Sequence, residues 1–176
     1  MTHLSGTFTV GSPGGSSLHL PMSQPSPTGG AVQPGDWLLA LLALRDAQRP
    51  LDPVRLQKSL FLLREEGGLS PAEAYRFEPY DYGPFSGTIY RDLGELLDGG
   101  LAKEQPVEGY NWSRYLITAA GMHRARALVE RFDRSHQAVL IQLAAIKNEL
   151  LDLPFDALLR RVYDSHPDYA RNSVFR

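Results

Sequence analysis

The side chains able to do metal, acid–base or nucleophilic chemistry are few and scattered. His3 and His19 lie near the N-terminus, which leaves His123, His136 and His166. Helical metal pairs stand one turn apart, because positions i and i+4 share a face. His123 and His136 are 13 positions apart, fit no such pair, and read as surface residues on helices. Asp164, His166 and Asp168 alternate and could share a cation, but Pro167 interrupts the backbone between them. That falls short of the ligand number and geometry that a metal site needs, so none is expected. The chain has no cysteine, which excludes thiolate zinc sites, thiol nucleophiles and disulfides. Gly83, Gly87 and Gly94 are too scattered to cradle a phosphate, and no GxSxG elbow presents a serine. Glu65 and Glu66 are neighbours on a helix, point in different directions, and read as a solvated helix end. No catalytic residue and no cofactor is expected, and the chain reads as a non-enzyme.

Two features are suited to recognition instead. Tyr80-Asp81-Tyr82-Gly83-Pro84-Phe85 concentrates rings in a turn, where Gly allows unusual backbone angles and Pro restricts its predecessor. As a binding surface, Tyr80, Asp81, Tyr82 and Phe85 would offer large, rigid contact area. As structure, the rings would fill the gap between the second and third helices, and this reading is favoured because buried rings contribute strongly to cores. Asp81 then needs a partner, and Arg55 or Lys58 on the preceding helix is the candidate. The second feature is basic. From Gly109 to Arg134 the sequence holds Arg114, Arg124, Arg126, Arg131 and Arg134 against Glu130 and Asp133, a net +3. It could meet nucleic acid or an acidic partner, but a solvated helix face is the favoured reading.

These features need a scaffold. The 176 residues are 43% hydrophobic, enough for one domain with an appendage. A net charge of −2 lacks the basic excess of a non-specific nucleic-acid binder. Met1 to Ser17 has no Lys or Arg and does not read as a signal peptide. The longest apolar run, Trp37 to Leu44, falls far short of the ~20 residues that span a bilayer. A cytoplasmic location off the membrane is the expectation. Residues 1–35 carry no Lys, Arg, Asp or Glu and are rich in Gly, Pro, Ser and Thr, so a disordered tail is expected. A genuine tail and a chain initiated at Met22 stand as equal readings of it.

The first helix is expected to start from Asp36 as N-cap and to end before Arg49-Pro50, apolar all round and central to the core. Asp52-Pro53 starts a second, with Leu56, Leu60, Phe61 and Leu63 inside and Gly67-Gly68 as its stop. Ser70 to Glu73 opens a short turn, Tyr75 to Pro79 is extended, and Tyr82-Gly83-Pro84 turns. Ser86 caps a third helix with Ile89, Leu93, Leu96 and Leu97 in a stripe. A hairpin follows, Leu101–Gln105 against Trp112–Ile117. Thr118 caps a fourth helix. A fifth runs from Ser135 to Leu151, and Pro154 opens the last, through Tyr163. Three helices followed by a hairpin is the winged-helix order. The expected fold is mainly α with a small β-hairpin: a winged-helix domain at 36–134 with a helical extension, 135–176, packed on it.

Arg55-Leu56-Gln57-Lys58-Ser59-Leu60-Phe61, Tyr82-Gly83-Pro84-Phe85-Ser86 and Tyr115-Leu116-Ile117-Thr118-Ala119-Ala120-Gly121 together resemble the YwgA-like proteins of bacteria and archaea. Leu158 to Tyr163, with His166-Pro167-Asp168-Tyr169 and Asn172-Ser173, extends the resemblance to the C-terminus. Those proteins are related in pattern to the Panacea, or SocA-type antitoxin, domain. The resemblance implies a structural motif of Arg55, Gln57, Lys58, Gly83, Pro84, Ser86, Thr118 and Gly121. It implies a role in neutralising a toxin by protein contact, although no separate partner-specific domain is visible here.

A winged helix also invites a DNA-binding reading, in which the third helix enters the major groove. That helix holds Arg91 against Asp92, Glu95 and Asp98, a formal −2, whereas phosphate contact needs Lys and Arg. The favoured expectation is therefore a non-enzymatic protein-interaction module, antitoxin-like or regulatory, whose partner is a toxin or another protein. The alternative is a transcriptional regulator using the wing and the Arg-rich helix after it. The stripe on the fifth helix fits either a homodimer or packing on the core.

Overall fold

The computed structural model describes residues 31–44 and 47–175. His3, His19, Met22 and nearly all of the expected tail lie outside the described residues. Helix α1, Pro34–Ala43, starts earlier than Asp36. Gln33 is the N-cap, Pro34 supplies the fixed first turn, and the Asp36 carboxylate reaches back to accept the Gln33 N–H at 2.9 Å. Asp36 thus closes the cap from inside the helix rather than forming it. Trp37 to Leu42 are all buried, as a helix apolar on every side must be. The helix stops at Ala43, well before Arg49-Pro50, and the Leu44 carbonyl is taken by the buried Lys147 amino group.

Helix α2, Pro53–Glu66, starts as its sequence dictates. Asp52 accepts the Arg55 N–H at 2.9 Å, and Gly67 with Gly68, at φ +77°, ends it. Strands β1, Glu78–Tyr80, and β2, Gly83–Phe85, then form a hairpin where the sequence reading expects an extended segment to Pro79 and a turn at Tyr82-Gly83-Pro84. The turn is Asp81-Tyr82, while Gly83 and Pro84 belong to the strand. Pro79 stands opposite Pro84. Neither has an N–H to give, so this is the pair the antiparallel ladder leaves without hydrogen bonds. Gly83 sits at φ +85°, and a Cβ there would stand 2.8 Å from the Tyr163 ring.

Helix α3 covers Gly87–Asp98 and buries Ile89 and Leu93. Strands β3, Ala102–Pro106, and β4, Ser113–Ile117, form the expected hairpin, with Ala102 opposite Ile117. Leu51 adds a bridge to Tyr115 on its outer edge, with N–H···O bonds of 2.9 and 2.8 Å. Helix α4, Ala119–Val129, is capped by Thr118, which accepts the Gly121 N–H at 3.0 Å. Helix α5, Arg134–Asp152, is capped by Asp133 and packs along α2. Val139, Leu143, Ile146 and Leu150 join the same core as Trp37 and Phe61. Helix α6, Phe155–Ser165, and a 3₁₀ turn, Pro167–Ala170, complete the chain. The fold is mainly α with small antiparallel hairpins, matching the expected class. Among the described residues no helix is long and apolar enough to cross a membrane.

Gly121 is where the β3–β4 hairpin and α4 come closest. A Cβ there would lie 2.0 Å from the Leu101 carbonyl oxygen, a backbone atom that cannot rotate away. Gly121→Ala is therefore expected to destabilise the fold by about 2 kcal/mol or more, read from urea unfolding, whereas Gly94→Ala, with open space around it, should not.

Candidate functional site

The β1–β2 hairpin carries its rings outward. Tyr80 is 51% exposed and Tyr82 44%, so these two do not fill the gap between α2 and α3. Alternation explains Tyr80: along β1 the inward position belongs to Pro79, and Tyr80 faces out with Glu78. Tyr82 sits at the tip of the turn. The interior near α2 is filled by other rings, with Phe61 edge-on to Phe77 at 5.3 Å and to Tyr169 at 4.6 Å. Half-buried Phe85 stands between Tyr80 and Tyr90, at 5.0 and 5.9 Å. Tyr82 meets Phe155 and Phe175, each at 6.0 Å, and those two rings meet at 5.4 Å. Six rings from β1–β2, α3, α6 and the C-terminal segment thus form two groups on one surface.

Between these groups lies a cavity of about 200 Å³, walled by Tyr80, Tyr82, Phe85 and Tyr90 and lined by Lys58. The sequence motif explains its base. The Gln57 side chain pairs with the Ser86 backbone twice, accepting its N–H at 2.9 Å and donating to its carbonyl at 3.0 Å. The Lys58 amino group donates to the Pro84 carbonyl at 2.9 Å. Arg55 hydrogen-bonds the Leu150 and Leu153 carbonyls at the end of α5 and pairs with Asp52. Cations suit a helix C-terminus, where carbonyls are left over. Neither Arg55 nor Lys58 therefore reaches Asp81, whose side chain is on the surface and whose carbonyl accepts the Val174 N–H at 2.9 Å. Ser86 is the N-cap of α3, but its side chain makes no cap bond, and its backbone is what Gln57 holds.

Burial pushes the Lys58 amine down to about 7. The Tyr90 phenol is pushed up, chiefly by burial. The buried amine beneath exposed rings leaves no signal in the sequence, because a lysine in a helical stripe ordinarily reaches solvent.

The arginines do not converge. Arg114, Arg124, Arg126 and Arg131 are exposed. The Arg114 guanidinium lies 5.9 Å from the Trp112 ring centre. Arg124 borders a hollow with Asp36, Asp92 and Glu95, Arg126 an apolar groove with Met122 and Leu140, and Arg131 a third with Glu73 and Asp133. Arg91, the cation of α3, is bound by Asp92 at 3.1 Å.

The histidines are placed differently from one another. His123 is exposed, as expected. His136 is not a surface residue: it packs near the Trp37 and Phe132 rings, with Glu73 at 3.1 Å and Asp133 at 3.0 Å. Its place at the start of α5, against α1, explains this. His166 turns to the Phe61 ring and to Glu66 at 3.4 Å, while Asp164 and Asp168 are exposed. Among the described residues no three potential ligands gather. Glu66 is held by Arg161 at 2.7 Å, which keeps its carboxyl below the usual range, and Glu65 pairs with Arg64.

Lys58 makes stability depend on pH. Below pH 7 both states are charged there, and the fold bears the full cost of a buried ammonium. Above 7 the folded amine loses its proton while the unfolded one, at 10.5, keeps it. Stability should therefore rise with pH, by about 2–3 kcal/mol between pH 7 and 9. Urea unfolding at both pH values checks this, and Lys58→Met should abolish the rise; an equal rise in the variant would assign it elsewhere.

No family model and no curated protein matches the chain, so the role of this site has to be read from its own geometry.

Proposed function

We propose that the chain is a cytoplasmic, non-enzymatic protein-interaction module on a winged-helix scaffold, antitoxin-like or regulatory, which docks its partner through the aromatic surface of the β1–β2 hairpin. The observation that carries this is that Tyr80 and Tyr82 of the tethered hairpin are exposed together with Tyr90 of α3, Phe155 of α6 and Phe175 of the C-terminal segment. Contiguous exposed apolar surface marks interaction sites, and Tyr is enriched where binding energy concentrates. The hairpin is held from both sides. Gln57 and Lys58 bind it from α2, and Asn172 and Val174 bind Pro79 and Asp81 from the C-terminal segment. Rings fixed before contact lose little freedom on binding. The resemblance to YwgA-like proteins and the Panacea domain supports the same reading.

Ordinary DNA docking finds less support. The acidic α3 has its Arg91 tied to Asp92, and the arginines after the wing border separate hollows. Catalysis also finds less support, since Glu66 and Asp52 are engaged by arginines and His136 lies against Glu73.

A photo-crosslinking residue at position 82, with exposed position 142 on α5 as control, tests the docking face. Position 82 is expected to give one discrete adduct with a second protein, reduced at least ten-fold by Tyr80→Ser, while position 142 gives none. Equal adducts at both positions would overturn the reading. So would salt-dependent DNA binding that is lost on replacing Arg124, Arg126 and Arg131 with Glu. Sedimentation of the purified chain identifies the case in which the partner is a second copy.

A further inference from the structure

The cavity over Lys58 has chemistry that protein docking on the surrounding rings does not explain. Lys58 is 3% exposed, yet it lines the cavity. An ammonium has three donors, and the Pro84 carbonyl takes one of them. A charge taken out of water calls for a counter-ion, and none of the described carboxylates pairs with this one. The titratable groups around it are phenols: Tyr80 and Tyr82 from the hairpin and Tyr90 from α3. Asp52, at the start of the same helix, is already bound by Arg55. Glu78 and Asp81 of the hairpin face solvent. The walls are flat rings, and the volume of about 200 Å³ lies below the 300–1,000 Å³ of sites for drug-sized ligands. It suits one ring with a small polar group. A single cation fits a monoanion, and the aromatic walls favour a flat apolar body over a bare phosphate.

We propose that this cavity is a binding site for a carboxylate carried on a flat apolar body, with the Lys58 ammonium as counter-ion and Tyr80, Tyr82, Phe85 and Tyr90 as its walls. The site stands whether or not a protein docks on the rings around it. Two sources share the chemistry, a free aromatic acid and the C-terminal carboxylate of a polypeptide ending in an aromatic residue. Binding requires the charged amine, so affinity falls about ten-fold per pH unit once the free site has lost its proton. The bound anion in turn raises the pH at which Lys58 titrates.

The test uses the full chain with ¹³C-labelled lysine, in which Lys103 and Lys147 are internal controls. Benzoate is the probe and benzamide its neutral counterpart. Benzoate is expected to shift the Lys58 Cε resonance, to raise its titration midpoint by a unit or more, and to bind at least ten-fold more weakly at pH 8.5 than at pH 6. Benzamide should do none of this, and Lys58→Gln should lose benzoate binding at least ten-fold. A short peptide ending in a Phe carboxylate, compared with its amide, separates the sources. Carboxylate-dependent binding tighter than benzoate assigns a chain terminus; weaker binding assigns a free acid. The proposal fails if Lys58 is unmoved by benzoate in the unmodified chain, or if benzoate and benzamide act alike. Both readouts come from the wild-type fold, so a failure of Lys58→Gln to fold leaves them intact.

Discussion

A helix buried along most of its length cannot carry Arg55, Gln57 and Lys58 unless each finds a partner, and in α2 each finds backbone groups, with the Asp52 carboxylate beside Arg55. Everything else is arranged around that requirement. Arg55 collects the carbonyls left over where α5 ends, which sets α5 against α2. Gln57 behaves like an extra strand beside Ser86, satisfying both polar groups of that residue. Lys58 closes on the neighbouring Pro84. One turn of helix thereby fixes the end of α5, the hairpin β1–β2 and the start of α3. A short hairpin on its own is marginal in water. Here its inner strand, β2, is bound by Lys58, and the adjoining Ser86 by Gln57.

Most of the architecture was legible because its signals are local. Asp52-Pro53, Gly67-Gly68 and Thr118 act within a few residues, and all three behave as the sequence implies. The errors arose where distant groups decided the outcome. His136 reads as a surface residue until α1 and the loop holding Glu73 close over it. The second strand of the first hairpin reads as a turn, because Gly83-Pro84 hides its strand pattern.

The candidate site was half legible, for the same reason. Tyr80, Asp81, Tyr82 and Phe85 stand out by composition, yet the side on which they lie is set by strand alternation and by a C-terminal segment some 90 residues on. The favoured structural reading fails for the outward rings of Tyr80 and Tyr82, and Gly83-Pro84 lies in the strand rather than in the turn. Arg114, Arg124, Arg126 and Arg131 illustrate the converse. Close in sequence, they border different hollows, because a strand and a helix turn successive positions to different faces.

The tether between the C-terminal segment and the first hairpin couples two distant parts of the chain. Val174 and Asn172 bind Asp81 and Pro79, and Phe175 completes the ring group around Tyr82. A cut before Asn172 would therefore strip the hairpin of two backbone anchors and one neighbouring ring, while the helices α1 to α6 kept their shared core.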